Sequence, residues 1–436
     1  MYQKLIEYFD NKSVLILGFG KEGQSTYNFL RRFYPEKKLA IADKRQLNIE
    51  DKNVVLFSGE CYLDNINDFD IVMQSPGISL RSVKIDETTE ITGQMDLFLR
   101  FAECVKIGIT GTKGKTTTTA LVYNIVKASG RKCALIGNIG VPVFESLDET
   151  DGLTAVIEMS CHQLEFAKCS PDVSIITNIY PEHLDHYNGF EGYVSAKLNI
   201  VRNQTEKDFF VFNSDQEEMK NLIDFDNIKS QLLPVSRFDC ENDEFLKKLT
   251  TLNEHLKGFH THHDIFFAVK AARCLGIDDT AIEKGISSFE PIAHRMEKVG
   301  TWKDITFYND SIATIPYAVM CAVNALEKVD TLVFGGLDRG IDYTTFITDL
   351  NECKVNNLIG LPETGEKIIN ELKKINCKKN LIIVDTMDEA VENAYKYTEK
   401  GKICLFSPAA SSYNRYRNFE EKGNHYKTLA KEIGEK

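Results

Sequence analysis

The first candidate for chemistry is a glycine-rich turn between a strand and a helix, in the run Ile107–Thr117 (IGITGTKGKTT). Glycines let backbone N–H groups approach a phosphate, and the N-terminus of the following helix adds positive potential. In such a loop Lys115 would contact the β- and γ-phosphates of a nucleotide, and the Thr116 hydroxyl would reach Mg²⁺. The strict P-loop spacing is not met, because Ile109 stands where the first glycine would be. An ordinary strand–turn–helix connection with a basic start is the alternative.

A second glycine-rich turn, Gly18–Gly23 (GFGKEG), follows the apolar run Val14–Leu17. Asp43 closes the next apolar run, Leu39–Ala42. A tight turn followed about twenty positions later by an acidic residue is typical of a Rossmann-type site for a nucleotide diphosphate. The pattern fits NAD and UDP equally, and close packing of a helix on a strand also produces such glycines.

A third group combines carboxylates and imidazole. Glu158 ends an apolar run, and His183 and Asp185 follow Asn178, which itself comes after the run Val173–Thr177. A carboxylate and a neutral imidazole near a phosphate loop suit Mg²⁺, which takes few protein ligands beside phosphate oxygens and water. A packed or helix-capping histidine is the alternative for His183.

The last third of the chain has polar turns after three apolar runs, and His294-Arg295 precedes the first run. The turns are Asn309–Ser311, Gly335–Gly340 and Ser407–Ser412. Each alone is an ordinary turn, but their shared position at strand ends predicts the rim of a second nucleotide or amino-acid site. Lys197, on an amphipathic stretch, is by itself typical of a solvated helix face.

Apolar runs rich in Val and Ile alternate with amphipathic stretches along the chain. This alternation predicts an α/β protein with parallel sheets built from βαβ units. Helices are predicted at Gln94–Glu103, Thr117–Ser129 and Asp264–Leu275. Strands are predicted at Val14–Leu17, Leu39–Ala42, Ile71–Met73, Val105–Ile109, Ala155–Glu158, Val173–Thr177, Ile305–Tyr308, Leu332–Phe334, Leu381–Val384 and Ile403–Phe406.

A chain of 436 residues exceeds one ordinary core. Domains hold roughly 100–200 residues each, so we expect about two to four. One boundary is predicted near Thr92–Gly93 and another near Glu290–Ala293, where Pro291 follows a helix. The resulting domains are 1–93, 94–292 and 293–436.

Composition narrows the function classes. The chain has 52 Lys and Arg against 64 Asp and Glu, a net charge of −12. It is therefore a poor candidate for binding nucleic acid or an anionic membrane. No apolar run approaches the ~18 residues of a membrane span or resembles a signal segment. The eleven scattered cysteines suit free thiols in a reducing compartment, so we expect a cytoplasmic protein.

Taken in order, these motifs resemble those of the Mur ligase family, ATP-dependent amide ligases of peptidoglycan precursor synthesis, and in particular its glutamate-adding members. The resemblance spans nearly the whole chain. It implies three domains: an N-terminal Rossmann-like domain, a central P-loop ATP-binding α/β domain and a C-terminal Rossmann-like α/β domain. The matching stretches are Gly18–Gly23, Ser75–Ile78, Thr110–Thr117, Gly137–Pro142, Glu158–Glu165, Asn178–Tyr187, Tyr193–Ile200, His294-Arg295, Asp310-Ser311, Gly335–Gly340 and Ser407–Gly423.

The resemblance also implies binding residues for three substrates. The first domain would hold the UDP of UDP-N-acetylmuramoyl-L-alanine rather than NAD, through Gly18, Gly20, Ser75, Gly77, Asn138 and His183. ATP would be bound by Gly111, Thr112, Lys113, Gly114, Lys115, Thr116, Thr117, Arg295 and Asp310. Glutamate would be bound by Arg339, Ser412 and Phe419.

The implied reaction is amide formation through an acyl-phosphate. The substrate carboxylate attacks the γ-phosphate of ATP, and the amine of D-glutamate then displaces phosphate. Lys115, His183, Lys197 and Asp310 are the implied catalytic residues. Thr116, Glu158, His183 and a carbamylated Lys197 would hold Mg²⁺, two ions being expected, because a carbamate turns a cation into an oxygen ligand. We expect a monomer.

Several positions depart from the family pattern. The family's Asp-Ser-Lys-Ala-Thr-Asn reads Asp310–Ile315 (DSIATI), and the lysine of its Gly-Gly-x-x-Lys loop is Arg339, which can still hold a carboxylate. The adenine segment reads Gly258–Asp264 (GFHTHHD), and Asn414 replaces an aspartate. Most of these changes fall at the glutamate pocket and resemble loops of L-glutamate-adding ligases, so D- or L-glutamate stays open.

Other functions remain as alternatives. A folylpolyglutamate synthase shares the phosphate loop but lacks a preceding Rossmann-like domain. Mur ligases that add other amino acids are possible, although the Asp-Asn-Pro-Arg of diamino-acid members is missing. An NAD-binding regulatory protein would leave Lys115, Glu158 and His183 unexplained. The same residues, with Lys197 and Asp310, argue against an inactive homologue.

Overall fold

The computed structural model of the protein contains three β-sheets with helices between their strands. The structure describes residues 1–137, 142–145, 147, 152–182, 186–187, 189–253, 256, 261–290, 293–314, 316–326, 328–338, 343–412 and 415–436. The chain divides into two compact units, Met1–Phe289 and Glu290–Lys436. The first two sheets belong to the first unit and the third sheet to the second.

The first sheet is parallel, with strand order β3-β2-β1-β4-β5. Its elements are α1 (Tyr2–Phe9), β1 (Val14–Leu17), α2 (Lys21–Phe33), β2 (Leu39–Asp43), β3 (Val54–Ser58), β4 (Ile71–Gln74) and β5 (Glu90–Thr92). β1 is buried along its whole length, as expected for a continuous apolar run in a sheet covered on both faces. The strand order reverses between β1 and β4, so the turns after these two strands meet at one crevice.

The second sheet is also parallel, with strand order β11-β10-β9-β6-β8-β7. Its strands are β6 (Val105–Thr110), β7 (Cys133–Gly137), β8 (Thr154–Glu158), β9 (Val173–Ile176), β10 (Phe209–Asn213) and β11 (Gln231–Val235). Its helices are α3 (Gln94–Phe101), α4 (Lys115–Ala128), α5 (Cys161–Leu164), α6 (Phe190–Arg202), α7 (Glu217–Leu222), α8 (Arg237–Glu241), α9 (Glu244–Leu249), α10 (Thr261–Cys274) and α11 (Asp279–Ser287). β6 is central, so the turn after it lies between the ends of β8 and β9.

These two sheets share one apolar core. Phe29 of α2 packs against Phe144, with ring centroids 4.7 Å apart. Gln94, at the start of α3, donates to Glu22 O and Thr26 Oγ1 and accepts from Phe144 N. The continuous core explains why residues 1–289 form one compact unit.

The third sheet has strand order β12-β13-β17-β14-β15-β16, with β12 antiparallel to β13 and the other pairs parallel. Its strands are β12 (Glu297–Trp302), β13 (Ile305–Asn309), β14 (Val329–Gly336), β15 (Asn357–Glu363), β16 (Asn380–Ile383) and β17 (Ile403–Phe406). Its helices are α12 (Pro316–Ala325), α13 (Thr344–Glu352), α14 (Thr364–Lys374), α15 (Met387–Tyr397) and α16 (Phe419–Glu435). Two apolar layers cover this sheet.

The predicted α/β class is confirmed, and the predicted strands Val14–Leu17 and Ile403–Phe406 coincide with β1 and β17. The predicted start of the phosphate-loop helix at Thr117 is wrong. α4 begins at Lys115, because Gly114 adopts φ +84° as its N-cap and the chain turns helical directly after it. Among the described residues, no helix is both long and apolar enough to cross a bilayer.

Candidate active site

The turn between β6 and α4 requires glycine at two positions. Gly111 has φ +149°, and a Cβ there would overlap Thr177 Oγ1. Gly114 has φ +84°, and a Cβ there would lie 2.6 Å from Asp264 Oδ1. Because Gly114 has no side chain with which to cap α4, the first N–H groups of this helix stay available to an anion.

The turn after β9 holds this loop from one side. Asn178 Oδ1 accepts from Lys113 N at 2.8 Å, and Asn178 Nδ2 donates to Lys113 O at 3.0 Å. Thr112 N donates to Asn178 O at 2.9 Å, and Thr177 Oγ1 donates to Lys113 O at 2.6 Å. Asn178, predicted to lie at a ligand-binding edge, therefore clamps the phosphate loop.

Two lysines converge on the loop from inside the fold. Lys115 Nζ donates to Gly111 O at 2.9 Å and to Thr112 O at 3.0 Å. Lys197 Nζ, from α6, donates to the same Gly111 oxygen at 2.8 Å. Lys197 is 1% exposed, and burial, with repulsion from Lys115, lowers its pKa to about 7. Its solvated placement, predicted from the amphipathic pattern alone, is wrong.

Glu158 is a fully buried carboxylate at the end of β8, opposite Ile109 of β6 in the sheet register. Thr116 lies in the first turn of α4. A buried carboxylate and a hydroxyl beside a phosphate loop fit Mg²⁺, which prefers one or two carboxylates together with phosphate oxygens. The described part of the chain contains no cluster of three or more His, Cys, Asp or Glu side chains placed for a metal. His183 and Asp185 lie outside the described residues.

The crevice of the first sheet is built by the turns after β1 and β4. Gly18 has φ +86°, and a Cβ there would lie 2.5 Å from Ile78 Cδ1. Ser75 Oγ donates to Gly18 O at 2.9 Å, and Ser75 N donates to Leu17 O at 2.8 Å. Gly20 and Gly77 are exposed on the same two turns, and Asn138 lies outside the described residues.

Asp43, at the end of β2, is occupied by protein donors. It accepts from Phe19 N at 2.8 Å and from Arg45 Nε at 2.9 Å. Burial alone would raise its pKa, but the hydrogen bonds from Arg45 and Phe19 N–H lower it to about 2. In a dinucleotide site this carboxylate would accept from ribose hydroxyls. Its use in fixing the glycine turn disfavours the NAD interpretation.

In the second unit, Asp310 follows β13 and is 4% exposed. Ser407 Oγ donates to its Oδ2 at 2.7 Å and Met296 N to its Oδ1 at 3.1 Å. Burial raises the pKa of Asp310 to about 6. Arg295 is exposed in the turn before β12. This carboxyl group is therefore fixed in place at the carboxyl edge of the third sheet.

The residues assigned to glutamate come from three segments of this unit. Arg339 lies outside the described residues, just after the turn that ends β14. Ser412 is buried, and its Oγ has no hydrogen-bond partner among the described residues. Phe419 begins α16, with its ring centroid 5.8 Å from that of His294.

Comparison with known proteins gives two family matches, the Mur ligase middle domain over residues 109–272 and the Mur ligase glutamate ligase domain over residues 294–410. A UDP-N-acetylmuramoylalanine–D-glutamate ligase from Clostridium kluyveri is 31% identical, over 98% of both chains. Ligases of the same name from Acetivibrio thermocellus and Lactobacillus gasseri are 32% and 30% identical, over 97% and 99% of both chains. The chain belongs to the Mur ligase family. The predicted resemblance and the predicted class of enzyme, an ATP-dependent ligase, are confirmed.

Solved structures support the fold of this Mur ligase. A MurF ligase from Thermotoga maritima, solved with ADP, is 16% identical and aligns over 96% of this chain and 95% of its own, with a TM-score of 0.52. UDP-N-acetylmuramate–alanine ligase from the same organism is 18% identical over 97% and 100%, with a TM-score of 0.51. These likenesses concern the fold alone.

From the sequence, Asp264 is known only as part of the segment Gly258–Asp264, which differs from the family's adenine-binding pattern. Its carboxyl group lies against Gly114 and accepts from Thr118 Oγ1 at 2.8 Å, and burial raises its pKa to about 7. No sequence pattern indicated this contact, because Asp264 is distant from the loop along the chain. The helical pattern of α10 places Asp264 on the same buried face as Phe267 and Ala268. This placement of a carboxylate among apolar residues is the signal by which the sequence could have singled it out.

Proposed function

We propose that this Mur ligase joins D-glutamate to UDP-N-acetylmuramoyl-L-alanine, converting ATP to ADP and phosphate. The observation that carries the proposal is the convergence of Lys115 and Lys197 on Gly111 O beside the buried Glu158. The full-length relatives named for this reaction support it, as does the match to a glutamate ligase domain. L-glutamate, or another amino acid of the Mur series, is the alternative.

In this proposal the chain's own groups position phosphates. Backbone N–H groups of the loop and of α4, with Lys115, bind the β- and γ-phosphates, and Thr112, Lys113, Gly114 and Thr117 complete the cradle. The substrate carboxylate then attacks the γ-phosphate and ADP leaves, giving an acyl-phosphate. Phosphoryl transfer depends mainly on positioning and charge neutralisation, which these groups supply. Mg²⁺, when bound near Thr116, Glu158 and His183, adds charge neutralisation on the phosphates.

The second step needs an amine and a fixed acyl group. Arg339, Ser412 and Phe419 are proposed to hold glutamate, and Arg295 and Asp310 to contact ATP. The glutamate nitrogen attacks the acyl carbon, phosphate leaves, and the amine loses its proton as the amide forms. Gly18, Gly20, Ser75, Gly77 and Asn138 are proposed to hold the UDP portion.

Lys197 is proposed to be carbamylated. A buried amine with a pKa of about 7 has a substantial neutral fraction at physiological pH, and a neutral amine adds CO₂ and loses a proton to give a carbamate. The carbamate would supply oxygen ligands for a second Mg²⁺. Lys197→Ala is then expected to lose about 100-fold or more in turnover and to be partly rescued by acetate or another short carboxylate. Failure of every short carboxylate to rescue would contradict the carbamate.

We further propose the domain limits 1–93, 94–292 and 293–436, a monomer and a cytoplasmic location.

Asp43 supports UDP rather than NAD in the first domain, because its oxygens already accept from Phe19 N–H and Arg45.

The deciding experiment measures phosphate release from ATP and UDP-N-acetylmuramoyl-L-alanine with each candidate amino acid. D-glutamate is expected to stimulate release and to appear in the UDP-linked product by mass spectrometry. Stimulation by L-glutamate instead would select the alternative. If no amino acid stimulates release, the ligase function of this chain is wrong.

A further inference from the structure

The second unit buries a lysine that the reaction scheme does not use. Lys422, the fourth residue of α16, is 2% exposed, and its Nζ donates to Gly335 O at 2.7 Å. Burial lowers its pKa to about 7. Among the described residues, no carboxylate lies within ion-pair distance of this Nζ. An apolar side chain of the same length would fill the space without burying an ammonium group. What the lysine adds is the hydrogen bond to Gly335 O and a position 5.7 Å from the Phe406 ring centroid.

Gly335 lies at the carboxyl end of β14, which leads into a turn with little room to shift. Gly335 N donates to Pro408 O at 2.8 Å, and Leu337 N donates to Ser411 O at 2.9 Å. At Gly336, with φ +153°, a Cβ would overlap Ser411 O and lie 3.0 Å from Lys422 Nζ. Lys422 thus closes a three-way contact between the end of β14, the segment after β17 and the start of α16.

Each of these segments leads to a residue assigned to glutamate. Arg339 follows the turn after β14, Ser412 follows Ser411, and Phe419 begins the helix that carries Lys422. Gly336, Leu361 and Lys422 also line a cavity of about 240 Å³ beside the turn. Without the ammonium group the turn has space to relax into that cavity.

We propose that Lys422 is a positioning residue for the incoming amino acid, fixing the end of β14 against the segment before Ser412 and the start of α16. This inference rests on the proposed function, since Arg339, Ser412 and Phe419 are its amino-acid contacts. Lys422 acts through the Gly335 carbonyl and not by touching the substrate.

The test compares Lys422→Met with wild type in the full-length enzyme. The KM for the amino acid that wild type uses is expected to rise about tenfold or more, because small misplacements of binding groups weaken a site strongly. The KM values for ATP and for the UDP-linked substrate are expected to stay within about twofold, since the residues proposed to bind the UDP portion and most of those proposed for ATP belong to the first unit. Lys422→Arg keeps a cationic donor and is expected to recover part of the loss.

Lys431→Met is the matched control, because Lys431 is an exposed lysine on the same helix. It is expected to match wild type in all three KM values. Unchanged amino-acid KM in Lys422→Met would overturn the proposal. The proposal would also be overturned if the KM values for all three substrates rose equally and the Tm fell, because that result is expected of a residue with a purely structural role.

If Lys422→Met does not fold, Gly336→Ala decides the question, since its Cβ displaces the same turn from Ser411 and Lys422. A selective rise of the amino-acid KM supports the proposal, and an unchanged value overturns it. The proposed function fails separately, when wild type itself prefers another amino acid or none. The effect of Lys422 is then measured with whichever amino acid wild type accepts.

Discussion

Two glycine-rich turns of the first unit, after β1 and after β6, look alike in sequence but differ in charge. Both join a parallel strand to a helix through a glycine with positive φ. After β6, Lys115 and Lys197 both donate to Gly111 O. After β1, the turn is contacted by Asp43, which accepts from Phe19 N and from Arg45.

A buried carboxyl group contacts each turn, Asp43 after β1 and Asp264 after β6, and the pKa values of these two groups move in opposite directions. Burial raises the pKa of Asp264 to about 7, while for Asp43 the hydrogen bonds from Arg45 and Phe19 outweigh burial and lower the pKa to about 2. A glycine pattern therefore predicts that a phosphate can approach the turn, but it does not predict whether that phosphate is only bound or is also transferred. The charges brought to the turn by the rest of the fold separate the loop proposed for phosphoryl transfer from the turn proposed to hold a diphosphate.

The largest effect on activity is expected from Lys115→Ala, which removes a cation from the turn after β6. Substrate-dependent ATP hydrolysis should fall about 1,000-fold with the fold intact, because the charge developing on the γ-phosphate loses its partner. Phosphate release and circular dichroism check this. Lys113→Ala is the control on the same loop and should lose far less activity, since Lys113 contributes its backbone to the cradle while its side chain is 59% exposed and pairs with Glu182. Full turnover in Lys115→Ala would show that the two turns do not differ as described.

Gly111→Ala tests whether the turn after β6 tolerates a side chain less well than the turn after β1. A Cβ at φ +149° would overlap Thr177 Oγ1, so unfolding free energy should drop by about 2–4 kcal/mol and turnover should be lost. Gly20→Ala, at φ −80° with no atom near its Cβ, should change stability by less than about 0.5 kcal/mol. Thermal unfolding of both variants measures the difference, and equal Tm values would contradict the steric account.

Asp264→Asn should stabilise the protein at alkaline pH. The folded-state pKa of about 7 lies above the ordinary 3.8, so the wild-type carboxyl costs stability progressively as pH rises from 4 to 7. The variant should gain on the order of 2–3 kcal/mol at pH 8 and nothing near pH 4. Denaturant unfolding at the two pH values measures this, and a gain independent of pH would rule out titration of Asp264 as its source.

Asp43→Asn should show the opposite sign and the smallest effect. Its folded-state pKa of about 2 lies below 3.8, so the ionised carboxylate contributes stability above pH 4 that disappears as pH falls toward 2. The variant should lose about 1 kcal/mol at pH 7, a value reduced by the exposure of Arg45, and much less at pH 2. The same unfolding series provides the measurement, and equal losses at both pH values would contradict the assignment.

Much of the fold was predictable because local pattern and burial agree. The Val-Leu-Ile-Leu run of β1 and the apolar run of β17 are continuous, as strands covered on both faces require. The sequence did not predict β11 or β12. Most residues of β11 are exposed, and β12 is an antiparallel edge strand. Their apolar signal is weak because only part of each strand is covered.

The sequence by itself determined the phosphate loop, the order of the motifs and the family, since these depend on residue types at short spacing. Only the tertiary structure decided which charges act at the loop. Lys197 and Lys422 are both on amphipathic helices, where a lysine is ordinarily solvated, yet each is buried against the carbonyl of a distant glycine. Asp264 reaches Gly114 in the same way. Such contacts join residues far apart in the chain, so no local pattern records them.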